Sequence, residues 1–549
     1  MTSIATIRIA PLPGEARIDQ RIYGHFLESA FFGNIEGGVF DEGSPLAVNG
    51  PGPLAGCRRD VIEAFRELGL PVVRWPGGNF TSPYWWQDGI GPRDERPRRL
   101  ELAWGSEESN RFGTPEFLAW CEAVGTTPYL AHHARQVDDG VRWVEYTNYA
   151  GDTTLTRQRA ADGHPDPHDV PIWGLGNEVY GPWQMGHRRV GDYVDAAREH
   201  ARFMRAVDPS IAFVAVGDTH EDWNQAVVAG LGELVDWVSL HLYGASRHLV
   251  DPSAEEFDAV VAQAVFFEQE IAAQAQTIGD TQVEHGLTRP LAIAMDEWNI
   301  RHLEPRAWPE PQAGDDGGVA AREEAASAPD GFDVEGFPGG HVRVNRYSPR
   351  TLADALFYAG VFHAMHRTAH QSVPVTMANT VNLVNANGLL AVRPGGVVRQ
   401  STFHVWDLYQ NHTGPVPLAA DVSGPSRTAR VRHGDHRRSD GEFRTSPAVV
   451  GQLDVSASTS EDGRTLYVTG INRSATDDVN AQIVLDGVTL PETATVRRIG
   501  AGVDDLFAVN TMAAPDVVAL SAPASVSLAG GVHTFPAHSI SVLEIALEG

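Results

Sequence analysis

The chain of 549 residues exceeds the size at which single hydrophobic cores stop growing, so its length predicts two domains. Hydrophobic residues make up 42% of it and the formal net charge is −29, which indicates a globular fold and makes nucleic acid and anionic membranes poor partners. The sequence contains no lysine, which excludes Schiff-base and pyridoxal-phosphate chemistry and phosphate loops that use a lysine.

Cysteine content and the N-terminus bear on location. Cys57 and Cys121 are too few and too isolated for a disulfide framework or a cysteine-based zinc site. The chain begins without a basic segment followed by a long apolar run, and no stretch reaches the roughly 18 apolar residues of a membrane span. We therefore expect a cytoplasmic protein without membrane contact.

The first predicted element is the alternating run ATIRIA, which we expect to join the C-terminal domain, so that residues 1–18 belong with it. From Ile22 to about Val381, short apolar runs alternate with longer amphipathic stretches, a pattern typical of repeated βα units and a parallel sheet. The eight predicted strands cover residues 22–29, 71–79, 127–133, 171–178, 212–218, 237–243, 291–298 and 375–381.

Helices are predicted between most of these strands. Segments such as RRDVIEAFRELG and GDYVDAAREHARFMRAVD repeat apolar residues at spacings of three and four. Eight strand-plus-helix units predict an α/β fold, a (β/α)₈ TIM barrel, over residues 19–395. A doubly wound open sheet is the alternative, but no G-x-G-x-x-G follows the first strand.

A Gly-, Pro- and acid-rich insertion follows the seventh strand, at residues 305–345. Structureless loops of this length are usually functional covers or disordered segments, and its position on the active-site side of a barrel favours a lid over a spacer. After residue 400, helical periodicity gives way to short alternating runs such as QLDVSAST and HSISVLEIAL. These predict a C-terminal antiparallel β-sandwich domain over residues 396–549.

Polar residues at strand ends are the candidates for the active site, because barrels build it at the C-terminal edge of their strands. Three glutamates on separate strands, together with Asn, Tyr and Arg, suit a neutral polyol better than a phosphate. The strand-end candidates are Glu28, Arg74, Asn79, His132, His133, Asn177, Glu178, Asp218, His241, Tyr243, Asp296, Glu297, Asn379 and Asn382.

Two of these carboxylates carry the strongest functional signal. Glu178 and Glu297 each end an almost wholly apolar strand and precede aromatic residues, a setting that raises the pKa of one carboxyl so that it can donate a proton. Retaining glycosidases hold such a pair about 5–5.5 Å apart, one as general acid and one as nucleophile. A salt bridge or loop-capping hydrogen bond would explain one such residue, but explains two less well.

The motifs GPRDERPRRLELAW, WGLGNEVYGPWQ, VSLHLY and MDEWN resemble the family-51 α-L-arabinofuranosidases, and the likeness covers most of residues 20–410. The resemblance implies a retaining exo-glycosidase that removes terminal α-L-arabinofuranosyl residues from oligo- or polysaccharides, needs no cofactor or metal, and assembles as a homo-oligomer, commonly a hexamer. It makes Glu178 the acid/base, Glu297 the nucleophile and Asn177 the ligand of the sugar 2-hydroxyl. The substrate-binding residues it implies are Glu28, Arg74, Asn79, Trp104, Asn177, His241, Tyr243 and Asn382.

The chain departs from the family pattern near the substrate. Its third strand leads into AHHARQVDDG instead of AVN and a Gly-Thr loop, and Tyr180 stands where the family has an aspartate. Asn382 takes the place of a glutamine and Arg301 that of a tryptophan. We expect the reaction to survive these changes, while the sugar or leaving group differs.

Several readings remain open. Another furanoside, such as a β-D-galactofuranoside or α-D-arabinofuranoside, or a β-xyloside, shares the anomeric chemistry. A catalytically silent sugar-binding barrel is the non-enzyme alternative, which the presence of both carboxylates disfavours. A metal held by His132 or His133 near Asp218 and His241 is not expected, because no recognised ligand spacing occurs and adjacent strand residues face opposite ways.

Overall fold

The computed structural model describes residues 4–29, 33–246, 253–302, 349–437 and 442–547, with the side chains of 435 and 437 left aside. The predicted insertion at 305–345 lies outside the described residues. Among the helices described, none is long and apolar enough to cross a membrane.

The secondary structure alternates along the first three quarters of the chain and is almost all strand after that. The described helices are α1 (Arg59–Leu68), α2 (Thr114–Val124), α3 (Val137–Asn148), α4 (Thr154–Ala161), α5 (Val190–Val207), α6 (Glu221–Leu231), α7 (Ala254–Val261), α8 (Ala264–His285), α9 (Leu352–Thr368) and α10 (Ser401–Asn411). The described strands are β1 (Ala5–Pro11), β2 (Gly24–Phe26), β3 (Val72–Trp75), β4 (Arg99–Leu100), β5 (Glu107–Glu108), β6 (Thr127–His132), β7 (Ile172–Leu175), β8 (Ala212–Ala215), β9 (Trp237–Ser246), β10 (Ala292–His302), β11 (Val375–Val381), β12 (Leu390–Arg393), β13 (Gly396–Arg399), β14 (Val416–Ser423), β15 (Ser426–Arg437), β16 (Phe443–Gly451), β17 (Leu453–Thr459), β18 (Thr465–Asn472), β19 (Val479–Leu485), β20 (Thr493–Ile499), β21 (Ala524–Ser527), β22 (Val532–Phe535) and β23 (Ser539–Ala546).

Eight parallel strands close into a barrel in the order β2, β3, β6, β7, β8, β9, β10, β11, with β11 pairing back to β2. This confirms the predicted TIM barrel and all eight predicted strands. Side chains fill the bore, where Val72, Tyr129, Ile172 and Trp237 form part of one buried cluster. Strands buried on both faces explain the nearly continuous apolar runs in the sequence.

The predicted helices are also present, and glycine ends two of them. Gly69 and Gly125 cap α1 and α2 with φ of 81° and 85°, a left-handed conformation that glycine adopts without steric cost. After the barrel, α10 still packs on it, because the Trp406 ring nitrogen donates to the Tyr23 carbonyl at 3.0 Å.

The C-terminal strands and β1 form one nine-stranded sheet in the order β21, β20, β23, β18, β17, β14, β1, β19, β22. The sheet is mostly antiparallel, and within it β1 pairs antiparallel with β14 and parallel with β19. The edge strand β22 lies against an inner strand of the same sheet, since a Cβ at Gly470 on β18 would lie 2.3 Å from the Phe535 ring on β22. The residues at which the domains begin and end stay a prediction.

One hairpin of this C-terminal region reaches the barrel. Strands β15 and β16 pair only with each other among the described sheets, and Arg432 on β15 forms an ion pair with Glu256 on α7 at 2.6 Å. Gly434 has φ 58°, and a Cβ there would lie 2.0 Å from the Tyr243 carbonyl oxygen. Only glycine fits this approach, so the hairpin supports the end of β9 from behind.

Candidate active site

The carboxylates of Glu178 and Glu297 meet above the barrel bore. One oxygen of each, together with a ring nitrogen of His241, lies within 4.8 Å of the others. Glu178 follows β7 in a left-handed conformation, with φ of 46°, after Gly176 with φ of 107°. This sharp turn at the strand end directs the side chain across the bore instead of along the helix layer.

An irregularity in β10 directs two adjacent acids, Asp296 and Glu297, toward the barrel bore. The pairing of β10 with β9 shifts register between Ala294 and Glu297, and a bulge of this kind re-aims side chains. Asp296 accepts a hydrogen bond from the Tyr129 hydroxyl at 2.8 Å inside the bore. Glu297 accepts one from the Tyr243 hydroxyl at 2.5 Å above it.

Arg74 connects the strand ends from below. Its guanidinium donates to the Asn177 side-chain oxygen at 2.5 Å, to the Asp296 carbonyl at 2.9 Å and to the Glu297 carboxylate at 3.3 Å. The side chain is 1% exposed. Arg74 therefore orients Asn177 and Glu297 at once, and it contributes a buried positive charge to a site rich in carboxylates.

His241 lies between three carboxylates. Its Nδ1 is 2.8 Å from Glu178 and 3.6 Å from Glu297, and its Nε2 is 3.3 Å from Asp296. Burial lowers the pKa of His241, but Glu297, Asp296 and Glu178 outweigh burial and raise it to about 10. The imidazole is therefore protonated over the neutral range, and its Nδ1 donates to Glu178.

The pKa of Glu178 moves in the direction opposite to our expectation. Burial alone would raise the pKa, but the hydrogen bond and charge of His241, with a smaller effect of Arg301, lower it overall. The two shifts together favour the proton on His241 over Glu178. The apolar residues that flank Glu178 predicted its burial, but they did not reveal its hydrogen bond with His241.

Glu28 is the acid of the site whose pKa rises. Burial, opposed by a hydrogen bond from the Phe80 amide at 3.0 Å, raises the pKa of Glu28 to about 8, and Glu297 adds to the rise. The Trp104 ring nitrogen also donates to Glu28, at 3.1 Å. Trp104 is half-buried beside it, and Glu101 accepts from the Trp104 backbone amide at 2.6 Å.

For two predicted substrate-binding residues, Asn79 and Asn382, the contacts described do not include the carboxylate pair. Asn79 begins a short 3₁₀ turn after Gly78, and a Cβ on Gly78 would lie 3.2 Å from the Glu297 carboxylate. Asn382 is fully buried, and its amide donates to the Ala386 carbonyl at 3.1 Å within its own loop. Their roles toward a substrate stay predictions.

His132 and His133 turn away from the carboxylate pair. Their Nε2 atoms lie 3.0 and 3.1 Å from the Asp139 carboxylate on α3. Backbone amides of Ala134 and Arg135 donate to their Nδ1 atoms at 3.1 and 2.9 Å, so each neutral ring carries its proton on Nε2. A metal at Nε2 would require that proton on Nδ1, against an amide donor, so the geometry favours a hydrogen-bonded cluster over a metal site.

Sequence reasoning overlooked several contacts of the site. The Trp183 ring nitrogen donates to Glu178 at 3.3 Å, and the Arg301 guanidinium lies 3.5 Å from the centre of the Tyr243 ring. The aromatic residues after Glu178 were a signal for Trp183. Arg301 appeared only as a departure from a family pattern, and Asp218 lies 2.6 Å from His220 instead of joining the site.

Two protein-family models match the chain. One, described as the alpha-L-arabinofuranosidase 1 domain, matches residues 64–261. The other, described as the alpha-L-arabinofuranosidase C-terminal domain, matches residues 296–539.

Individual relatives agree over nearly the whole chain. An alpha-L-arabinofuranosidase C from Emericella nidulans is 31% identical, over 98% of this chain and 96% of that protein. An intracellular exo-alpha-(1->5)-L-arabinofuranosidase from Streptomyces lividans is 31% identical, over 91% of this chain and 69% of that one. The GH51 alpha-L-arabinofuranosidase structure from Thermotoga petrophila is similar with a TM-score of 0.81 at 30% identity, covering 98% of this chain and 99% of that chain.

Proposed function

The chain belongs to the α-L-arabinofuranosidases of glycoside hydrolase family 51, and on that premise we propose that it removes terminal non-reducing α-L-arabinofuranosyl residues from oligo- or polysaccharides by double displacement. Glu297 acts as the nucleophile and Glu178 as the general acid/base. The observation that carries this assignment is the approach of the two carboxylates to within 4.8 Å, with Glu178 after the end of β7 and Glu297 within β10.

In the first step, a Glu297 oxygen attacks the anomeric carbon while Glu178 transfers a proton to the leaving oxygen. The bond from the anomeric carbon to that oxygen breaks, and a glycosyl ester on Glu297 forms. The Tyr243 hydroxyl and Arg74, both bonded to Glu297, hold its carboxylate in line. Asn177, held by Arg74, offers its amide to the sugar 2-hydroxyl.

In the second step, Glu178 accepts a proton from water, the water oxygen attacks the anomeric carbon, and the ester bond to Glu297 breaks. Two inversions leave the anomeric configuration unchanged. His241, 2.8 Å from Glu178, supplies the proton that Glu178 donates and recovers it afterwards. Its pKa of about 10 keeps that proton available well above neutral pH.

Glu28 has a separate role in this proposal. With a pKa of about 8 it is largely protonated at neutral pH, so its hydroxyl donates to a sugar oxygen without adding a negative charge beside Glu297. Trp104, bonded to the same carboxyl, forms a wall of the sugar pocket. Asn79, His241 and Asn382 complete the proposed set of substrate-binding residues.

A panel of nitrophenyl glycosides tests this function. We expect α-L-arabinofuranoside to be hydrolysed with at least about tenfold higher kcat/KM than β-D-galactofuranoside, α-D-arabinofuranoside or β-D-xyloside. Proton NMR of the first-formed sugar should show the retained anomer. Inversion would contradict the two-step mechanism, and preference for another glycoside would assign another sugar to the same chemistry.

Assembly and location remain predictions. The family resemblance favours a homo-oligomer, which light scattering on purified protein tests directly. The Streptomyces relative named intracellular favours a cytoplasmic enzyme, which fractionation of the source cells tests.

A further inference from the structure

The site contains a further carboxylate, Asp296, to which the proposed mechanism gives no role. It lies on β10 directly before Glu297, is 2% exposed and lines the bore together with Glu178 and His241. Burying an ionised carboxyl is costly, so a fold keeps such a group only where partners stabilise it. The partners of Asp296 therefore indicate what it does.

Contacts from two neighbouring strands hold one carboxylate oxygen of Asp296. Its Oδ2 accepts a hydrogen bond from the Tyr129 hydroxyl on β6 at 2.8 Å and lies 3.7 Å from Nε of Arg74 on β3. Arg74 also donates to the backbone carbonyl of Asp296 at 2.9 Å. Strand β7 leaves room for the hydroxyl, because a Cβ on Gly174 would lie 3.0 Å from it. These contacts fix the orientation of the carboxylate.

The other oxygen, Oδ1, lies beside His241. It is 3.3 Å from Nε2 of the ring, and it makes no hydrogen bond with the residues that the structure describes, so no other donor there competes with the histidine. Across the same ring, Nδ1 donates to Glu178 at 2.8 Å. The order is therefore carboxylate, imidazole, acid/base. In hydrolase triads, a buried carboxylate behind a histidine sets the orientation of the ring and stabilises its charged form.

The charges around His241 decide how firmly its ring holds a proton. The charged and titratable groups are Arg74 on β3, Tyr129 on β6, Glu178 after β7, Tyr243 on β9 itself, and Asp296, Glu297 and Arg301 on β10, while residues 214–216 at the end of β8 are apolar. Burial lowers the pKa of His241, Glu297 opposes burial most strongly, and Asp296 adds to the rise. Removing one carboxylate leaves both arginines in place, so the ring then holds its proton less firmly.

We propose that Asp296 is a positioning residue of the reaction, whose carboxylate holds the His241 ring with its Nδ1 proton directed at Glu178. The inference rests on the proposed function, in which Glu178 exchanges its proton with that ring. The proton that Nδ1 gives to Glu178 in the first step returns to Nδ1 in the second, so all three groups end as they began. Asp296 acts on the reaction only through His241.

The pH profiles of Asp296→Asn and Tyr129→Phe test the proposal. Both variants disturb the contact between these two side chains, but only the first removes a charge. For Asp296→Asn on arabino-oligosaccharides, we expect kcat to fall about tenfold with KM nearly unchanged, because proton transfer to the leaving group is impaired. The alkaline limb of kcat/KM should move to lower pH, whereas in Tyr129→Phe it should stay at its wild-type position.

A double-mutant cycle with His241→Gln tests whether Asp296 acts through the ring. In the His241→Gln background, Asp296→Asn should lower kcat little further, because the group that it positions is absent. Losses that multiply would overturn the proposal and leave Asp296 as a structural partner of Arg74. An unshifted alkaline limb in folded Asp296→Asn, or an equal shift in Tyr129→Phe, would overturn it as well.

NMR of the histidine side chains keeps the test decisive if Asp296→Asn does not fold. In protein labelled with ¹⁵N-histidine, the His241 signals are those that disappear in His241→Gln. At about pH 8, where an ordinary histidine is neutral, we expect both ring nitrogens to be protonated and the Nε2 proton to be shifted downfield by the nearby carboxylate. A neutral ring, or an unshifted Nε2 proton, overturns the inference. Wild-type protein that fails to hydrolyse the aryl arabinofuranoside would instead overturn the proposed function, because this spectrum requires no turnover.

Discussion

Two buried clusters in this protein use the same residue types for different purposes. One is the proposed active site at the strand ends of the barrel. The other joins α9 to β17, where Asp454 lies 2.6 Å from Arg473, 3.0 Å from Arg367 and 3.4 Å from His363. The Tyr409 hydroxyl lies 2.7 Å from the other ring nitrogen of His363.

The pKa values of the histidines in the two clusters shift in opposite directions. Burial lowers the pKa of His363, and Asp454 does not compensate because two arginines already neutralise it. His241 faces three carboxylates, and its pKa rises to about 10. Both rings are buried, so the ratio of acids to fixed cations around each one decides whether the effect of burial on its pKa is overcome. The proposed active site keeps surplus negative charge, whereas the interdomain cluster is balanced and structural.

The largest effect should come from removing the proposed nucleophile. Glu297→Ala should lower kcat/KM by at least about 10⁴-fold at every pH, because no glycosyl ester can form. Folding should be unharmed or improved, since a carboxylate leaves a cluster with excess negative charge. Initial rates and calorimetry on the same preparation check both points, and retention of more than a few percent of activity would refute the role.

Removing the proposed acid/base should lower kcat/KM by an amount that depends on the leaving group of the substrate. Glu178→Ala should lower kcat/KM for oligosaccharides by about 10³-fold, and much less for an activated aryl arabinofuranoside, whose leaving group needs no proton. Azide should restore turnover and yield a glycosyl azide of retained configuration. Absence of any azide product would assign the acid/base role elsewhere.

The interdomain cluster should show the reverse pattern, with stability lost and catalysis kept. Asp454→Asn leaves the buried guanidinium groups of Arg473 and Arg367 without their anion, at a cost of about 3 kcal/mol in unfolding free energy. The kcat of the folded enzyme should not change. Glu461→Gln, in the exposed pair with Arg17, is the control and should stay within about 0.5 kcal/mol. A lowered kcat in folded Asp454→Asn would contradict a purely structural role for the interdomain cluster.

One acid from each cluster should change the stability of the fold with pH, and the two changes should have opposite signs. Glu28 has a raised folded pKa of about 8 against an ordinary 4.5, so between these values the folded state holds a proton that the unfolded state releases. Stability from this group therefore falls as pH rises through that window. Glu28→Gln should reduce the drop in melting temperature between pH 5 and 8, and an unaltered drop would contradict the raised pKa.

For Asp454 the sign reverses. Its folded pKa is lowered by Arg473 and Arg367 against the opposing effect of burial, so its stabilisation is complete above the unfolded pKa and is lost as pH falls. The Asp454→Asn protein should consequently lose less stability on acidification than wild type. This acid-side comparison provides the control for the Glu28 measurement.

The smallest effect should follow from Arg301→Gln. The guanidinium stacks on Tyr243 and lowers the pKa of Glu178, so its removal should move the alkaline limb of kcat/KM to higher pH. Arg301→Lys should keep most of the wild-type profile because it keeps the charge. Identical profiles for all three proteins would show that Arg301 only packs against Tyr243.

The sequence predicted much of the fold because its signals are local. Apolar runs such as PIWGLG and LAIAM indicate buried parallel strands, and the spacing of apolar residues in α1, α2, α5 and α9 indicates helices. Placing Glu178 and Glu297 at the ends of such strands brought them to one edge of the barrel, since parallel strands share that edge. The sequence made Asp296 a candidate beside Glu297, but it did not predict that both side chains join the site, because regular alternation puts neighbours on opposite faces and a bulge overrides it.

Contacts between segments that are far apart in the chain were not predicted either, because no local pattern records them. His132 and His133 were candidates for the site, yet Asp139 and two backbone amides hold both in the layer between barrel and helices. The approach of Gly434 to Tyr243 joins residues almost two hundred positions apart. No pattern within a strand or helix records such a meeting.

By itself the sequence determined a TIM barrel with a β-rich C-terminal region and a pair of glutamates at strand ends suited to glycoside cleavage. Periodicity and strand position depend on neighbours in the chain, so they can be read from it. Only the tertiary structure decided the charge state of the pair: His241 lowers the pKa of Glu178, and Glu28 is the acid whose pKa rises. A pKa reports the sum of burial and nearby charges in space, which the order of residues does not contain.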